Sequence, residues 1–218
     1  MERIVEPEVM DDEEQAVAYA LADFSLSNQT FVDGVLEEHS PRLRNVLDIG
    51  CGPADVPIRL ARARPSIRVT AVDASGAMVR LARKAVCAAG LDRRIQVIEG
   101  RIPGLPFGEA DFDTILSKDL LHHLADPMVF WEEVRRLGRH GTAVYVMDLF
   151  RPKTEEDARS IVEFVSGGER EILKRDFYSS LLAAFTPAEV EDQLRRAGLA
   201  LTVDVVSHRH LRIRGLLG

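Results

Sequence analysis

Apolar and polar positions follow two rhythms along this chain. Within residues 10–39, Val17, Tyr19, Ala20 and Phe24, then Phe31, Val32, Val35 and Leu36, recur at three- and four-residue steps with acids between them. That spacing predicts two amphipathic helices, with a break at Ser27 and Asn28. Further on, short apolar runs bounded by Gly, Pro and acids predict strands at 46–49, 67–72, 95–98, 112–117 and 141–149, and a closing antiparallel pair at 201–206 and 210–213. Helical patterns fill the gaps at 56–64, 75–89 (closed by Gly90), 127–137 and 153–185, and a last one opens at Thr186-Pro187 and ends at Gly198. Strands alternating with helices predict an α/β fold, a sheet with helices on both faces.

The stretch 44–57, RNVLDIGCGPADVP, organises the rest. An apolar strand (Val46, Leu47, Ile49, interrupted by Asp48) turns through Gly50 and Gly52 into a helical pattern, the opening βα unit of a nucleotide-binding sheet. The two glycines remove Cβ atoms where a ligand approaches the backbone. A dinucleotide pyrophosphate requires a third small residue three positions after the second Gly. Here that residue is Asp55, whose carboxylate repels phosphate and reads better as an N-cap, with Pro57 in the first turn. With Asp48 at the strand's end, the turn suits a ligand carrying positive charge. The sequence DIGCG resembles motif I of the class I S-adenosylmethionine-dependent methyltransferases, whose ligand bears an ammonium and a sulfonium. The resemblance implies that Asp48, Gly50, Cys51 and Gly52 bind this cofactor.

Asp73 ends the second strand about 20 residues past the turn, where a carboxylate accepts from ribose hydroxyls. The run VDASGAMVRLAR resembles motif II of the same family, which implies that Ala74 and Met78 lie against the adenine. In EGRIPGLPF the family's usual acid is replaced by Arg101, leaving the backbone N–H of Arg101 or Ile102 to meet the ring. SKDLLHHLADP resembles motif IV, which implies that Ser117 offers its carbonyl to the ligand's ammonium. Lys118, Asp119, His122 and His123 are then the polar groups nearest the transfer site. Either histidine suits a general base, since imidazole titrates near physiological pH; the alternative is that one caps or packs the following helix while the other is solvated. Asp148, at the end of the fifth strand, is the third candidate base. By the same resemblance the N-terminal helices fold over the cofactor as a lid, with Tyr19 or Phe24 closing on it. The segment 151–185 sits where the family inserts a substrate cap, so Arg151, Arg175, Phe177 and Tyr178 are candidate acceptor contacts, with a solvated helix face as the alternative. His208 and His210 read as structural.

Composition narrows the partners. The 218 residues, 46% hydrophobic and 29% charged, suit one domain. A net charge of -7 and a pI near 5.4 argue against a nucleic-acid footprint and favour a small-molecule acceptor. No apolar run approaches the ~20 residues of a membrane span, and MERIVEPEVMDDEEQ lacks the regions of a signal peptide. Cys51 and Cys87 have no metal spacing and read as reduced thiols of a cytoplasmic protein; no metal ligand set is expected. The full expectation is a Rossmann-like, seven-stranded mixed sheet of order 3-2-1-4-5-7-6 with its last strand antiparallel. A helical lid occupies 1–40 and the class I domain 41–218, the resemblance running by its motifs from residue 42 to about 149. The implied function is methyl transfer from S-adenosylmethionine to a small molecule. The sulfonium already makes the methyl electrophilic, so the protein chiefly aligns the displacement and excludes water. An NAD-dependent oxidoreductase, opposed by Asp55 and by the lack of a second domain, and a cofactor-binding module without catalysis are the alternatives.

Overall fold

Seven strands form one sheet in the order β3-β2-β1-β4-β5-β7-β6. They are β1 (Asn45–Ile49), β2 (Arg68–Asp73), β3 (Ile95–Glu99), β4 (Phe112–Lys118), β5 (Gly138–Leu149), β6 (Thr202–Val205) and β7 (His210–Leu216). The computed structural model describes residues 1–6, 13–39 and 43–218. Residues 10 and 42, the expected starts of the first helix and of the resembling stretch, and the expected boundary at 40/41 lie outside them. Strands β1 to β5 are parallel, and β7 runs antiparallel to both β5 and β6. Order and polarity are those the sequence implied. The strand order reverses between β1 and β4, which places a crevice at their carboxyl ends.

Side chains alternate across the strands and so build two cores. Val46, Leu116, Tyr145 and Met147 face one side, against Phe31 and Val35 of α2 (Ser25–His39), Leu60 of α3 (Asp55–Ala63) and Val86 of α4 (Gly76–Ala88). Leu47, Ile115, Val144 and Val146 face the other, against Trp131 and Val134 of α5 (Met128–Leu137) and Val190 and Leu194 of α8 (Pro187–Ala197). Between them in sequence, α6 (Glu155–Ser166) and α7 (Glu171–Ala183) close a third, smaller core over Leu149. The first helix, α1 (Glu13–Leu21), sets Ala16 against Ala77 and Met78 of α4.

Helix ends follow local chemistry. Thr186 and Glu189 form a capping box with Pro187 in the first turn, and Gly198 closes α8 in the left-handed region at φ 66°. Two expectations are corrected. The break between the N-terminal helices falls at 22–24, and Ser27 and Asn28 lie inside α2. The reason is Asp23, whose carboxylate accepts the Ser25 N–H at 3.0 Å and so starts the helix earlier. Asp55 is not the cap of α3 but its first residue, the cap being Ala54 at φ 67°. Its Oδ2 instead accepts from Asn28 Nδ2 (2.8 Å) and Arg59 Nε (2.7 Å), tying α2 to α3.

Helix α2 reaches the sheet because Gly34 leaves room for the Tyr145 ring. A Cβ at Gly34 would stand 2.0 Å from Tyr145 Oη and 2.9 Å from Cζ. Gly34→Ala should therefore destabilise the protein by about 1–3 kcal/mol through overpacking, although alanine alone gains up to about 1 kcal/mol in helix propensity. Adding Tyr145→Phe should recover part of that loss in thermal or urea unfolding. A stabilised single variant would show that α2 does not press on the sheet there.

Candidate functional site

The turn after β1 is pinned to the end of β2. Gly50 N–H and Cys51 N–H both donate to Val72 O, at 2.8 and 2.9 Å, and Gly52 N–H donates to Asp73 Oδ2 at 2.8 Å. Asp73 Oδ1 accepts the Ser75 N–H at 2.9 Å. Gly50 and Gly52 both have positive φ, 79° and 52°, as the turn requires. A Cβ at Gly50 would also meet the Leu120 side chain at 3.1 Å. A phosphate-binding turn presents free N–H groups to its ligand; these three are spent within the fold.

A cavity of about 840 Å³ opens at the carboxyl edge of the sheet, in the size range of a small-molecule site. One end is lined by Gly50, Gly52, Asp73, Ala74 and Met78, with Arg101 and Ile102 beside them. Tyr19 of α1 covers this end: it lines the cavity, lies nearest the Cβ position of Gly52 at 3.9 Å, and stacks on Phe24 with ring centroids 4.7 Å apart. Burial, with Asp119 and Asp73 nearby, raises the Tyr19 phenol, so the ring stays neutral. Burial raises the Asp73 carboxyl, against the N–H groups of Ser75 and Gly52, which favour its ionised form. Burial and the neighbouring Asp73 push Asp48 up to about 7, with Lys118 opposing. Asp119, at φ 54°, pairs with the Lys118 ammonium. Although burial acts upward, that pairing and His210 hold the Asp119 carboxyl at about 2.

The other end is built on a 3₁₀ turn, Leu121–His123, directly after β4. His122 is buried, with Nδ1 2.7 Å from Asp148 Oδ1, while Asp148 Oδ2 accepts the Leu121 N–H at 2.7 Å. Burial opposes the charged imidazole, yet Asp148, Glu6 and Asp119 raise the His122 pKa overall. The N-terminal segment completes this end. Arg3 Nη2 donates to the carbonyls of His122 and Leu124, at 2.9 and 2.8 Å, and its guanidinium stacks on Phe185, while Ile4 N–H donates to Leu182 O. Glu6 is thereby delivered to the histidines, its Oε1 3.0 Å from His123 Nδ1 and 3.7 Å from His122 Nε2, and it accepts from Ser180 Oγ at 3.0 Å. Leu149, Val165, Leu173 and Phe177 make the wall beyond apolar.

Most of the residues named from sequence converge here. Gly50, Gly52, Asp73, Ala74, Met78, Arg101, Ile102, Tyr19, His122 and His123 all line the one cavity. Asp48, Cys51, Ser117 and Asp148 stand behind its wall. The Ser117 hydroxyl donates to Ile49 O at 2.8 Å, and the next residues, Lys118, Asp119 and Leu120, line the cavity. Both oxygens of Asp148 are engaged, so it orients His122 and does not face a ligand. Of the acceptor contacts, Phe177 lines the cavity, but Arg151 binds Ala184 O, Met1 O and Glu189, a structural role. Arg175 pairs with Asp176 and Tyr178 bonds Glu155, and neither Arg175 nor Tyr178 lines the cavity. His210, read as structural, does line it, kept neutral by burial with a pKa of about 4. Glu6 was missed: it lies in an acidic N-terminal run whose pattern singles out no position.

Residues 46–141 match the family described as a methyltransferase domain. A demethylmenaquinone methyltransferase of Porphyromonas gingivalis is 30% identical over 119 residues, 54% of this chain and 48% of that protein. A ubiquinone biosynthesis O-methyltransferase of Xylella fastidiosa is 30% identical over 163 residues, 72% of this chain and 61% of the relative. The matches thus span about half to three fifths of the length of these relatives. A solved S-adenosylmethionine-dependent methyltransferase from Aquifex aeolicus has the same fold, with a TM-score of 0.73 over 95% of this chain and 99% of that chain at 20% identity. The matched region carries the glycine turn, Asp73 and both histidines of the 3₁₀ turn. Sheet order, turn chemistry and the match of residues 46–141 to a methyltransferase domain agree, and together they support a fold of the class I S-adenosylmethionine-dependent methyltransferase type.

Proposed function

We propose that this protein transfers the methyl group of S-adenosylmethionine to a small-molecule acceptor. The observation that carries the reading is the glycine turn: its N–H groups are consumed by Val72 and Asp73, and three carboxylates, Asp48, Asp73 and Asp119, surround it. That environment suits a cationic ligand and opposes a pyrophosphate, which removes the ground for an NAD enzyme. In this reading Asp73 takes the ribose hydroxyls, Ala74, Met78, Arg101 and Ile102 flank the adenine, and Asp48, Cys51 and Ser117 support the turn and β4 from behind. Residues 1–40 act in part as a lid, through α1 and Tyr19, and 151–185 as the cap through Leu173 and Phe177 of α7.

The acceptor lies at the histidine end. Its wall combines apolar side chains with His122 and His123, fitting an acceptor with an apolar body and one ionisable group. Asp148 fixes the His122 ring, and the two imidazoles prepare the acceptor atom for in-line attack on the methyl carbon. A nucleic-acid acceptor is disfavoured by the net charge of -7. Among the described residues no helix is long and apolar enough to cross a membrane. The two free cysteines fit the cytoplasm.

Calorimetric titration with S-adenosylmethionine, S-adenosylhomocysteine and NAD tests the cofactor. Both adenosyl ligands should bind and NAD should not, and Asp73→Ala should weaken them about 10- to 100-fold while remaining folded by thermal melt. Binding of NAD alone would overturn the reading; tight adenosyl binding with no turnover across acceptors would favour a module without catalysis.

Asp48 supplies a pH signature. Its carboxyl titrates at about 7 in the free protein, and a cationic ligand favours the ionised form. Below that pH, binding must first release the Asp48 proton. Affinity for S-adenosylmethionine should therefore rise with pH, by up to about tenfold per unit, until Asp48 is ionised, and then level off. Asp48→Asn should flatten this slope in the same calorimeter; an unaltered slope would show that Asp48 does not sense the ligand.

A further inference from the structure

We propose that Glu6, His122 and His123 form a binding site for a divalent transition-metal ion at the acceptor end of the cavity. This reverses the sequence expectation that the chain holds no metal ligand set. One ligand atom from each residue lies within 4.8 Å of the others. Two donors each about 2.1 Å from a shared ion stand about 3.0 Å apart in an octahedral array and about 3.4 Å apart in a tetrahedral one. The separations here, 3.0 Å from Glu6 Oε1 to His123 Nδ1 and 3.7 Å to His122 Nε2, bracket that range. The longer exceeds a hydrogen bond, and His123 Nδ1 is buried without a hydrogen bond despite its short distance to Glu6.

Two of the three ligands also have the support a metal site requires. Asp148, itself held by the Leu121 N–H, engages His122 Nδ1 at 2.7 Å and leaves Nε2 as the ring nitrogen facing Glu6. Ser180 Oγ holds Glu6 at 3.0 Å, and Arg3 straps the N-terminal segment to the carbonyls of the 3₁₀ turn. Two carboxylates face two imidazoles, so the cluster is negative until a cation or protons enter it. Two imidazoles and one carboxylate suit zinc, iron or cobalt and leave coordination positions open. His122 and His123 both line the cavity, so those positions face the acceptor.

The ion's role rests on the methyl-transfer reading, although its binding does not. It takes an acceptor hydroxyl oxygen and lowers its proton affinity. The hydroxyl proton leaves to water and an oxygen lone pair forms the bond to the methyl carbon. The C–S bonding pair stays on sulfur, which departs as a neutral thioether.

Cobalt(II) is the probe, titrated into the 218-residue chain carrying Cys87→Ser so that the exposed thiol does not compete. The expected result is saturable uptake of about one equivalent with visible ligand-field bands. Glu6→Gln and His123→Ala should each weaken uptake about 100-fold or more, and Asp148→Asn about 10- to 100-fold. His208→Gln should leave it unchanged, and thermal melts should show every variant folded. Absence of saturable uptake, or uptake indifferent to Glu6→Gln and His123→Ala, would overturn the proposal and leave the cluster as imidazolium–carboxylate pairing. Titrating S-adenosylhomocysteine into the same samples separates the two readings. Its binding without cobalt refutes only the ion site, and cobalt binding without it leaves the ion site standing and counts against methyl transfer.

Discussion

The carboxyl end of β2 is where the rest of the molecule is tied. Val72 O takes two N–H groups of the glycine turn, and the Asp73 carboxylate takes a third together with the N–H of Ser75, next to the start of α4. A Gly-Cys-Gly turn has much conformational freedom to lose, and three hydrogen bonds onto two consecutive residues hold it in one shape. The same bonds decide the ligand's charge. Donors that would neutralise a phosphate are already satisfied, and the acceptor that satisfies one of them is an acid with lone pairs left toward the cavity. A glycine turn on a doubly wound sheet therefore excludes the commonest ligand of such turns through its own hydrogen bonding.

Charge around this point is concentrated and buried. Asp48 lies in β1 behind the cavity wall, Asp73 at the end of β2 and Asp119 just after β4, so three adjacent strands gather carboxylates at the crevice or directly beneath it. Such a set is costly to bury without positive charge. Lys118 pairs with Asp119 and acts on Asp48 only through space, and Asp119 sits at φ 54°, a conformation that costs a non-glycine residue about 1–3 kcal/mol. The Asp119 N–H bond to Met147 O at 2.9 Å locks it there. Strain retained beside unneutralised carboxylates marks the place where a cation completes the electrostatics.

Much of this was legible because it is local. The strands, the Gly turn, Asp73 and the two histidines lie in short runs whose periodicity, turn residues and motif order point to one sheet, and the structure places them at one edge. The misplacements share a different cause. Asp55 has the chemistry of a cap, but Asn28 and Arg59, the first of them 27 residues away, compete for its carboxylate. Asp148 sits at the correct strand end, yet a β5 residue buried behind the 3₁₀ turn can reach only His122 and the Leu121 N–H. Arg151 has the charge of an acceptor contact and is consumed by carbonyls and Glu189. In each case residue type was readable and its partner, being tertiary, was not.

The two ends of the cavity differ in the same way. The cofactor end comes from contiguous strand–turn–helix units and from backbone groups, so its sequence is constrained over short windows. The acceptor end is assembled from residue 6, the turn at 121–123, the end of β5 and one face of α7, with no local pattern linking them. Helix α1 touches both. Tyr19 covers the glycine turn, Ala16 packs on Ala77 and Met78, and Gln15 Nε2 donates to Asp176 Oδ2 of α7 at 2.7 Å. Asp176 and Phe177 line the acceptor wall. Any ligand that holds Tyr19 down therefore also fixes the register of α1 against α7. In the proposed reading, filling the cofactor end and shaping the acceptor end are one packing event, although the sequences that encode them are unrelated.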